Sequence, residues 1–255
     1  MKKILLGAMI ASVALAASAA DVASANVVGY TKIQLNEGFN LIGSQFLNVG
    51  GGVKDINDFI YATDLLGIDD EYNFQTQLRV WTGTGYRFYG WLDGDDGTNN
   101  DMPEWDNAWL LDDMTDLATE DMDIGKGVWI LTSAPATMTV LGEVASGDTY
   151  TVNVNEGFNL VANPFPSEIS IQDIKMSTAG IDDEYNFQTT LRVWTGTGYR
   201  FYGWLDGDDG TNNDMPEWDN AWLLDDMTDL ASETLSIGEA VWIIAPSAGT
   251  VTFTK

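Results

Sequence analysis

Apolar and polar residues alternate along much of the chain, and a period of two is typical of β-strands with one buried face. Ile33 and Leu35 alternate with polar neighbours near the start of the chain. Val152 and Val154 do the same in its second half. The pattern therefore predicts a chain built mainly from strands.

The clearest hairpin lies between residues 78 and 89. The segment LRVW at residues 78–81 is followed by TGTG and then by YRFY at residues 86–89. Glycine permits the positive φ that tight hairpin turns need. Pairing Trp81 with Tyr86 places one set of side chains together on one face: Arg79, Trp81, Tyr86 and Phe88. We expect the opposite face to carry Leu78, Val80, Arg87, Tyr89 and Trp91.

The remaining segments add further strands and little helix. Residues 128–131 and 137–141 predict a second hairpin. A helical period appears at residues 55–66, with a shorter counterpart near Ile171. Residues 103–111 fit either one turn of helix or a short strand. Together these segments predict an all-β, mainly antiparallel fold. It consists of two tandem sandwich or barrel-like modules, each with a short helix.

A long internal duplication explains why two modules are expected. Residues 67–118 recur as residues 180–231 with 51 of 52 positions identical, the one change being Gln77 to Thr190. The motif NEGFNL at residues 36–41 recurs at residues 155–160. Such self-similarity indicates a tandem pair. We place β-module 1 at residues 26–144 and β-module 2 at residues 145–255, joined by a short linker that keeps them close together.

The first 25 residues resemble a secretory signal peptide. Lys2 and Lys3 precede an apolar stretch at residues 4–16 that is too short to span a bilayer. Small residues follow, and they predict cleavage after about residues 19–25. The chain is therefore expected to be secreted or displayed on the cell surface, with the periplasm as a further location that fits the same signal.

The composition limits the reactions and the partners that can be expected of this chain. The chain has no Cys and no His, so it lacks thiol nucleophiles, the commonest general base and the commonest transition-metal ligand. Its formal net charge is −28. A field of that sign repels nucleic acid and anionic membrane surfaces, so we expect neither as a partner, and no later segment predicts membrane insertion. The acidity favours solubility in a salty medium, cation binding, or both.

Short motifs resemble those of other exported proteins. The segment NVVGY at residues 26–30, followed by GFNLIGSQF, looks like the start of exported bacterial proteins of unassigned activity. GFNLVANPFP at residues 157–166 is similar to GWNLIGNPFP-type repeats of secreted and surface proteins in gram-negative bacteria. This resemblance implies a β-rich extracellular module and no defined activity. It does not extend to the aspartate-rich duplicated core.

The acidic loop at residues 93–101 is a candidate calcium site. Calcium takes six to eight oxygen ligands from flexible loops, and aspartates spaced by glycines can curl around an ion. A solvated turn explains the same residues without a metal. No cofactor is required, and calcium is the one candidate ion. The candidate ligands in the two copies are Asp93, Asp95, Asp96, Asn99 and Asp101, with Asp206, Asp208, Asp209, Asn212 and Asp214.

Aromatic residues form the second candidate site. Eight of the ten tryptophans lie in the duplicated core. Many should pack inside, yet the hairpin has aromatic residues on both faces and only one face can line a small core. Exposed rings beside arginine suit stacking on sugars, or a protein interface. The candidate ligand-binding residues are Arg79, Trp81, Tyr86 and Trp91, with Arg192, Trp194, Tyr199 and Trp204.

An enzyme is not expected. No Ser-His-Asp or Cys-His set can be assembled, and no phosphate-binding loop appears; only a glycosidase, which needs two carboxylates, stays as a remote alternative. We expect a non-enzymatic binding or structural protein for adhesion or for contact with the envelope or matrix. The alternative is a bivalent carbohydrate-binding protein assisted by calcium. The expected partners are a polysaccharide, another extracellular or envelope protein, or a second copy of the chain.

Overall fold

The computed structural model describes residues 28–49, 54–60, 62–68, 73–94, 105–181, 186–206 and 218–255. The strands in the first half are β1 (Val28–Leu35), β2 (Gly38–Gly43), β3 (Phe46–Leu47), β4 (Ala62–Thr63), β5 (Thr76–Trp81), β6 (Tyr86–Leu92), β7 (Ala108–Leu111), β8 (Gly127–Thr132) and β9 (Ala136–Val144). The strands in the second half are β10 (Thr149–Val154), β11 (Gly157–Ala162), β12 (Ile169–Ser170), β13 (Ile174–Met176), β14 (Thr190–Trp194), β15 (Tyr199–Leu205), β16 (Ala221–Leu224), β17 (Thr234–Leu235), β18 (Ala240–Ala245) and β19 (Gly249–Thr254).

Two five-stranded antiparallel sheets dominate the described part of the chain. The first large sheet has the order β2-β8-β5-β6-β7, and the second large sheet has the order β11-β18-β14-β15-β16. Smaller sheets are formed by β1-β9-β3 with β4, by β10-β19-β13 and by β12-β17. The fold is therefore mainly antiparallel β, as the alternating pattern predicts.

Each large sheet shares a hydrophobic core with the small sheet of its own half. In the first core, Leu78, Val80 and Trp109 of the large sheet pack with Met138 and Val140 of β9. In the second core, residues of β14, β15 and β16 pack with residues of β10 and β19, among them Leu191, Trp204, Trp222, Val251 and Phe253. Burial of these faces is the main stabilising term of the fold.

The hairpin at residues 78–89 is confirmed in detail. Trp81 pairs with Tyr86 and Arg79 pairs with Phe88, so these four side chains share one face of the first large sheet. In the second large sheet Trp194 pairs with Tyr199 in the same register. Gly83 and Gly196 adopt φ of 96° and 92°, the positive values expected for these turns.

The second predicted hairpin is wrong. Strand β8 pairs with β2 and β5, whereas β9 pairs with β1, β3 and β4. The chain therefore passes from the large sheet to the small sheet between these strands. The physical reason is that β2 and β5 occupy both hydrogen-bonding edges of β8, so no edge is left for β9.

The helical content is lower than the sequence predicts. An α-helix spans only Ile56–Phe59, capped by Asp55, whose carboxylate accepts the backbone N–H groups of Asn57 and Asp58. Beyond it the chain is extended, and Ala62–Thr63 pairs with β9. The second half has a 3₁₀ turn at Ile171–Asp173 in place of an α-helix. No helix in the described ranges has the length and apolarity needed to cross a bilayer.

The repeated NEGFNL motif closes the turn that leads into each large sheet. The Asn40 side chain accepts the backbone N–H of Asn36 (2.9 Å) and donates to the carbonyls of Asn36 (2.8 Å) and Gly38 (3.1 Å). Asn159 makes the equivalent three bonds in the second half. The glycine between them, Gly38 or Gly157, has positive φ. The motif is therefore a structural clamp.

Candidate functional site

The acidic loops lie almost entirely outside the described residues. Asp95, Asp96, Asn99, Asp101, Asp208, Asp209, Asn212 and Asp214 fall there, and the structure describes only the two aspartates at the loop starts. The Asp93 carboxylate accepts the backbone N–H of Gly67 (2.9 Å), and Asp206 accepts that of Gly180 (2.7 Å). Each bond ties the residue that follows β6 or β15 to a glycine earlier in the chain. The described residues contain no group of three or more potential metal-ligating acidic side chains, so calcium binding stays a prediction.

Trp91 and Trp204 lie in the cores. They are 3% and 1% exposed, and each packs against a second indole, Trp109 or Trp222, at a ring distance of 5.2 Å. Their placement on an exposed aromatic surface is therefore corrected. The hairpin alternation places both on the inward face with Tyr89 and Tyr202, and side chains on that face are covered by the small sheets.

Trp81 and Trp194 lie where the two large sheets meet. The Trp81 indole N–H donates to the carbonyl of Phe158 (2.8 Å), and the Trp194 indole N–H donates to the carbonyl of Phe39 (3.0 Å). Trp81 packs edge-on against Trp242 at 5.5 Å, and Trp194 against Trp129 at 5.3 Å. Each hairpin thus reaches across to the opposite sheet through equivalent residues.

Backbone contacts at the same place are equally reciprocal. The Gly43 N–H donates to the carbonyl of Gly238 (2.9 Å), and the Ala162 N–H donates to that of Gly125 (2.8 Å). A side chain at Gly43 would overlap the Cβ of Ala162 and lie 2.6 Å from the carbonyl oxygen of Lys126. We call this contact region the junction. Its apolar centre consists of Leu41, Trp129, Leu160, Ala162, Ala240 and Trp242.

Other aromatic residues of the same faces stay partly exposed beside the junction. The side chains of Phe39, Tyr86 and Phe88 are 38–40% exposed, and Phe158 and Phe201 are 46% and 39% exposed. Rings that are neither fully buried nor isolated form a surface that an apolar ligand face can contact.

A cavity of about 230 Å³ opens among these rings. We call it the aromatic groove, and its lining is Phe39, Arg79, Tyr86, Trp129, Trp194 and Tyr199. It is smaller than the roughly 300–1,000 Å³ of typical ligand pockets, so it has room for one small ring. A polar cleft of about 410 Å³ continues from it past Phe39 and Trp194. A corresponding cleft of about 750 Å³ lies beside Trp81 and Phe158.

Two arginines stack on the exposed rings. The Arg79 guanidinium carbon lies 4.8 Å from the centre of the Phe39 ring and 5.2 Å from that of Phe88. Arg192 lies 5.5 Å from Phe158 and 5.1 Å from Phe201. Cation–π contacts of this kind hold a guanidinium flat against a ring while its in-plane donors stay available.

The two tyrosines of the groove are neutral at ordinary pH. Burial raises the pKa of the Tyr86 hydroxyl, with smaller opposing effects from Trp129 and Arg79. Burial likewise raises the pKa of Tyr199. A neutral phenol both donates and accepts hydrogen bonds. The groove therefore combines apolar ring faces, hydroxyl groups and a guanidinium.

The candidate residues from the sequence overlap only in part with the lining of the aromatic groove. They include Arg79, Trp81 and Tyr86 with their copies, and the structure brings these together near the junction. They do not include the groove residues Phe39 and Trp129, or their counterparts Phe158 and Trp242. The signal that would have found them is alternation in β2 and β8, which places Phe39 and Leu41 on one face and pairs Leu41 with Trp129.

No protein-family model matches the chain, and comparisons with curated proteins and with solved structures find no significant match. The function must therefore be argued from the site itself.

Proposed function

We propose that this is an exported, non-enzymatic binding protein of two tandem β-modules that holds a glycan in the aromatic groove and its flanking clefts. The modules correspond to residues 26–144 and 145–255. Supporting this division, the two large sheets have equivalent strand orders, and their hairpins have the same register. The motifs shared with secreted bacterial repeat proteins support export.

One observation carries the proposal: half-exposed rings, neutral tyrosines and a stacked arginine occur together around a cavity. Sugars present flat C–H faces to aromatic rings and hydroxyl groups to polar side chains. The groove offers both within one set of residues, including Phe39, Tyr86 and Tyr199. A cavity for a single ring, open into polar clefts, suits one residue of a longer glycan chain.

A duplicated core suggests two separate binding sites, and the junction argues against that arrangement. Trp81 and Trp194 are used to join the sheets, so the two copies do not present separate tryptophan surfaces. Tyr86 of one copy and Tyr199 of the other line the same cavity. We therefore propose two half-sites that face a shared groove, so that one glycan chain contacts both copies.

A glycan-binding screen on the mature protein tests this proposal, followed by titration calorimetry with the best ligand. The double variant Phe39→Ala/Phe158→Ala removes one half-exposed ring from each copy. It should weaken binding roughly tenfold, because aromatic contacts contribute about 0.5–1.5 kcal/mol each. Tyr30→Ala is the matched control, since Tyr30 is 70% exposed on β1 and lies away from the groove lining. Unchanged affinity in the double variant would overturn the groove as the binding site.

A second candidate function, adhesion or self-assembly, is favoured by the small sheets. Among the described strands, β1 pairs only with β9, and β10 pairs only with β19. Val28 and Tyr30 on β1 are 50% and 70% exposed. Unpaired strand edges with exposed apolar residues can add a strand from another chain. The outer edge of β7, by contrast, is already bonded to residues 116–118.

Light scattering over a hundredfold concentration range separates this candidate from the first. A mass that rises with concentration, and that Tyr30→Lys returns to the monomer value, would support assembly through β1. A constant monomer mass would count against it and leave glycan binding as the proposed function.

A further inference from the structure

The duplicated core contains two kinds of arginine. Arg87 and its copy Arg200 each form an ion pair, with Glu120 and Glu233 respectively. Arg79 and its copy Arg192 form no ion pair within the described part of the chain. In a protein with 39 acidic and 11 basic residues, carboxylates are abundant, so two unneutralised arginines at equivalent positions call for an explanation.

These two arginines are also partly removed from water. The Nε atoms of Arg79 and Arg192 are buried and have no hydrogen-bond partner among the described residues. Each guanidinium stacks on two phenylalanine rings, which cover its surface without using its donors. A partly desolvated donor without a partner destabilises the folded protein unless a ligand supplies the acceptor.

Arg79, one of the two arginines without an ion pair in the described part of the chain, lies at the aromatic groove. Arg79 is the one charged residue in the lining of the aromatic groove. The flanking clefts have a different charge. One is lined by Glu37 and Glu239, and the other by Glu120, Asp123 and Glu156 together with Arg87 and Lys126, so acidic residues outnumber basic ones in both. The groove is thus a locally cationic point on a strongly acidic protein.

We propose that Arg79 makes the groove selective for carboxylate-bearing sugars, so that the glycan it holds contains uronic acid residues. Arg192 lies outside the groove lining and offers the same stacked guanidinium in the second copy, beside Phe158 and Phe201. This inference rests on the proposed glycan-binding function. A planar guanidinium binds a carboxylate through two parallel hydrogen bonds, which fits donors left free by ring stacking. The neighbouring rings contact the C–H face of the same sugar, whereas a small inorganic anion would leave them unused.

A matched pair of polymers tests the inference: polygalacturonate, and the same polymer fully methyl-esterified, which keeps the rings and removes the negative charge. Calorimetry with the mature protein is done in chelator, so that calcium cannot bridge protein and polymer carboxylates. The buffer contains about 0.15 M salt, which screens the long-range repulsion between the acidic protein and the acidic polymer. We expect at least tenfold tighter binding of the acidic polymer by the wild type. Arg79→Gln/Arg192→Gln should abolish this preference while still binding the ester. Arg200→Gln, which removes an ion-paired arginine outside the groove and both clefts, should keep it.

Three other outcomes would each overturn part or all of this inference. Equal binding of the two polymers by the wild type would overturn the selectivity and leave the glycan-binding function intact. A preference that survives in Arg79→Gln/Arg192→Gln, shown to be folded by its melting curve, would overturn the role of these arginines. Binding of neither polymer would overturn this inference, while the glycan screen described above decides the proposed function separately.

Discussion

Asparagine clamps and a buried lysine show how single residues shape this molecule. Asn40 and Asn159 each satisfy three backbone groups at the entrance to a large sheet. Buried backbone groups that lose a partner destabilise a protein by roughly 1–3 kcal/mol. The repeated motif is thus explained by hydrogen bonding at a turn, without any ligand.

Replacing Asn159 with alanine should lower the free energy of unfolding by about 1–3 kcal/mol, because the N–H and the carbonyl of Asn155 and the carbonyl of Gly157 lose their partner. Urea titration measures the change. Asn153→Ala, on the exposed side of β10, is the control and should shift the midpoint little. Equal effects of the two substitutions would contradict the clamp.

Lys54 makes the free energy of unfolding depend on pH in the alkaline range. It is 2% exposed, its Nζ donates to the carbonyl of Leu141 (2.6 Å), and burial lowers its pKa to about 8, opposed by Asp58. The unfolded chain has the ordinary pKa of 10.5, so it binds more protons between these values. Stability should therefore rise with pH across that window, by roughly 2 kcal/mol from pH 8 to pH 10.

Urea titrations at pH 8, 9 and 10 measure this rise. Lys54→Met should remove most of it, leaving a smaller contribution from Lys175, whose pKa burial also lowers. Above pH 10 the raised pKa of Tyr86 and Tyr199 acts in the opposite direction, because only the unfolded tyrosines lose their protons there. An unaltered pH slope in Lys54→Met would show that another group is responsible.

At the scale of elements, local patterns predicted well and long-range pairing did not. The hairpin of β5 and β6 follows from alternation and a glycine turn, both of which are local. The pairing of β8 with β2 and β5 joins residues far apart in sequence, so a local hairpin was predicted in its place. Prediction of the candidate site is limited in the same way, because some of its residues meet only through long-range packing. Arg79 and Tyr86 could be predicted because they share a hairpin, whereas Trp194 reaches them only through tertiary packing.

The acidic loops provide a prediction at this scale. If each loop binds calcium through the aspartates after Asp93 and Asp206, adding 1–5 mM calcium to the metal-free protein should raise its melting temperature, because ligands that bind only the folded state stabilise it. Differential scanning calorimetry in calcium and in chelator measures the shift. Magnesium at the same concentration controls for ionic strength. Identical melts in calcium and chelator would leave the loops as solvated turns.

At the scale of the whole molecule, the junction decides how the two halves are arranged. Gly43→Ala should destabilise it by about 1–3 kcal/mol, since the new methyl group overlaps Ala162 and cannot move into a cavity. Limited proteolysis and the unfolding midpoint measure the loss. Gly85→Ala is the matched control, because nothing lies within 4 Å of its added Cβ. Equal stability of the two variants would contradict close packing at Gly43.

The reciprocal contacts of Trp81 and Trp194 determine how the junction responds to dilution of the protein. An interface in which equivalent residues exchange the same bonds has the form of a symmetric dimer, and such dimers separate on dilution. Here one polypeptide carries both partners, and a short linker holds them at an effective concentration in the millimolar range. Opening the junction is therefore a unimolecular event. A groove built from both halves stays assembled however dilute the protein becomes.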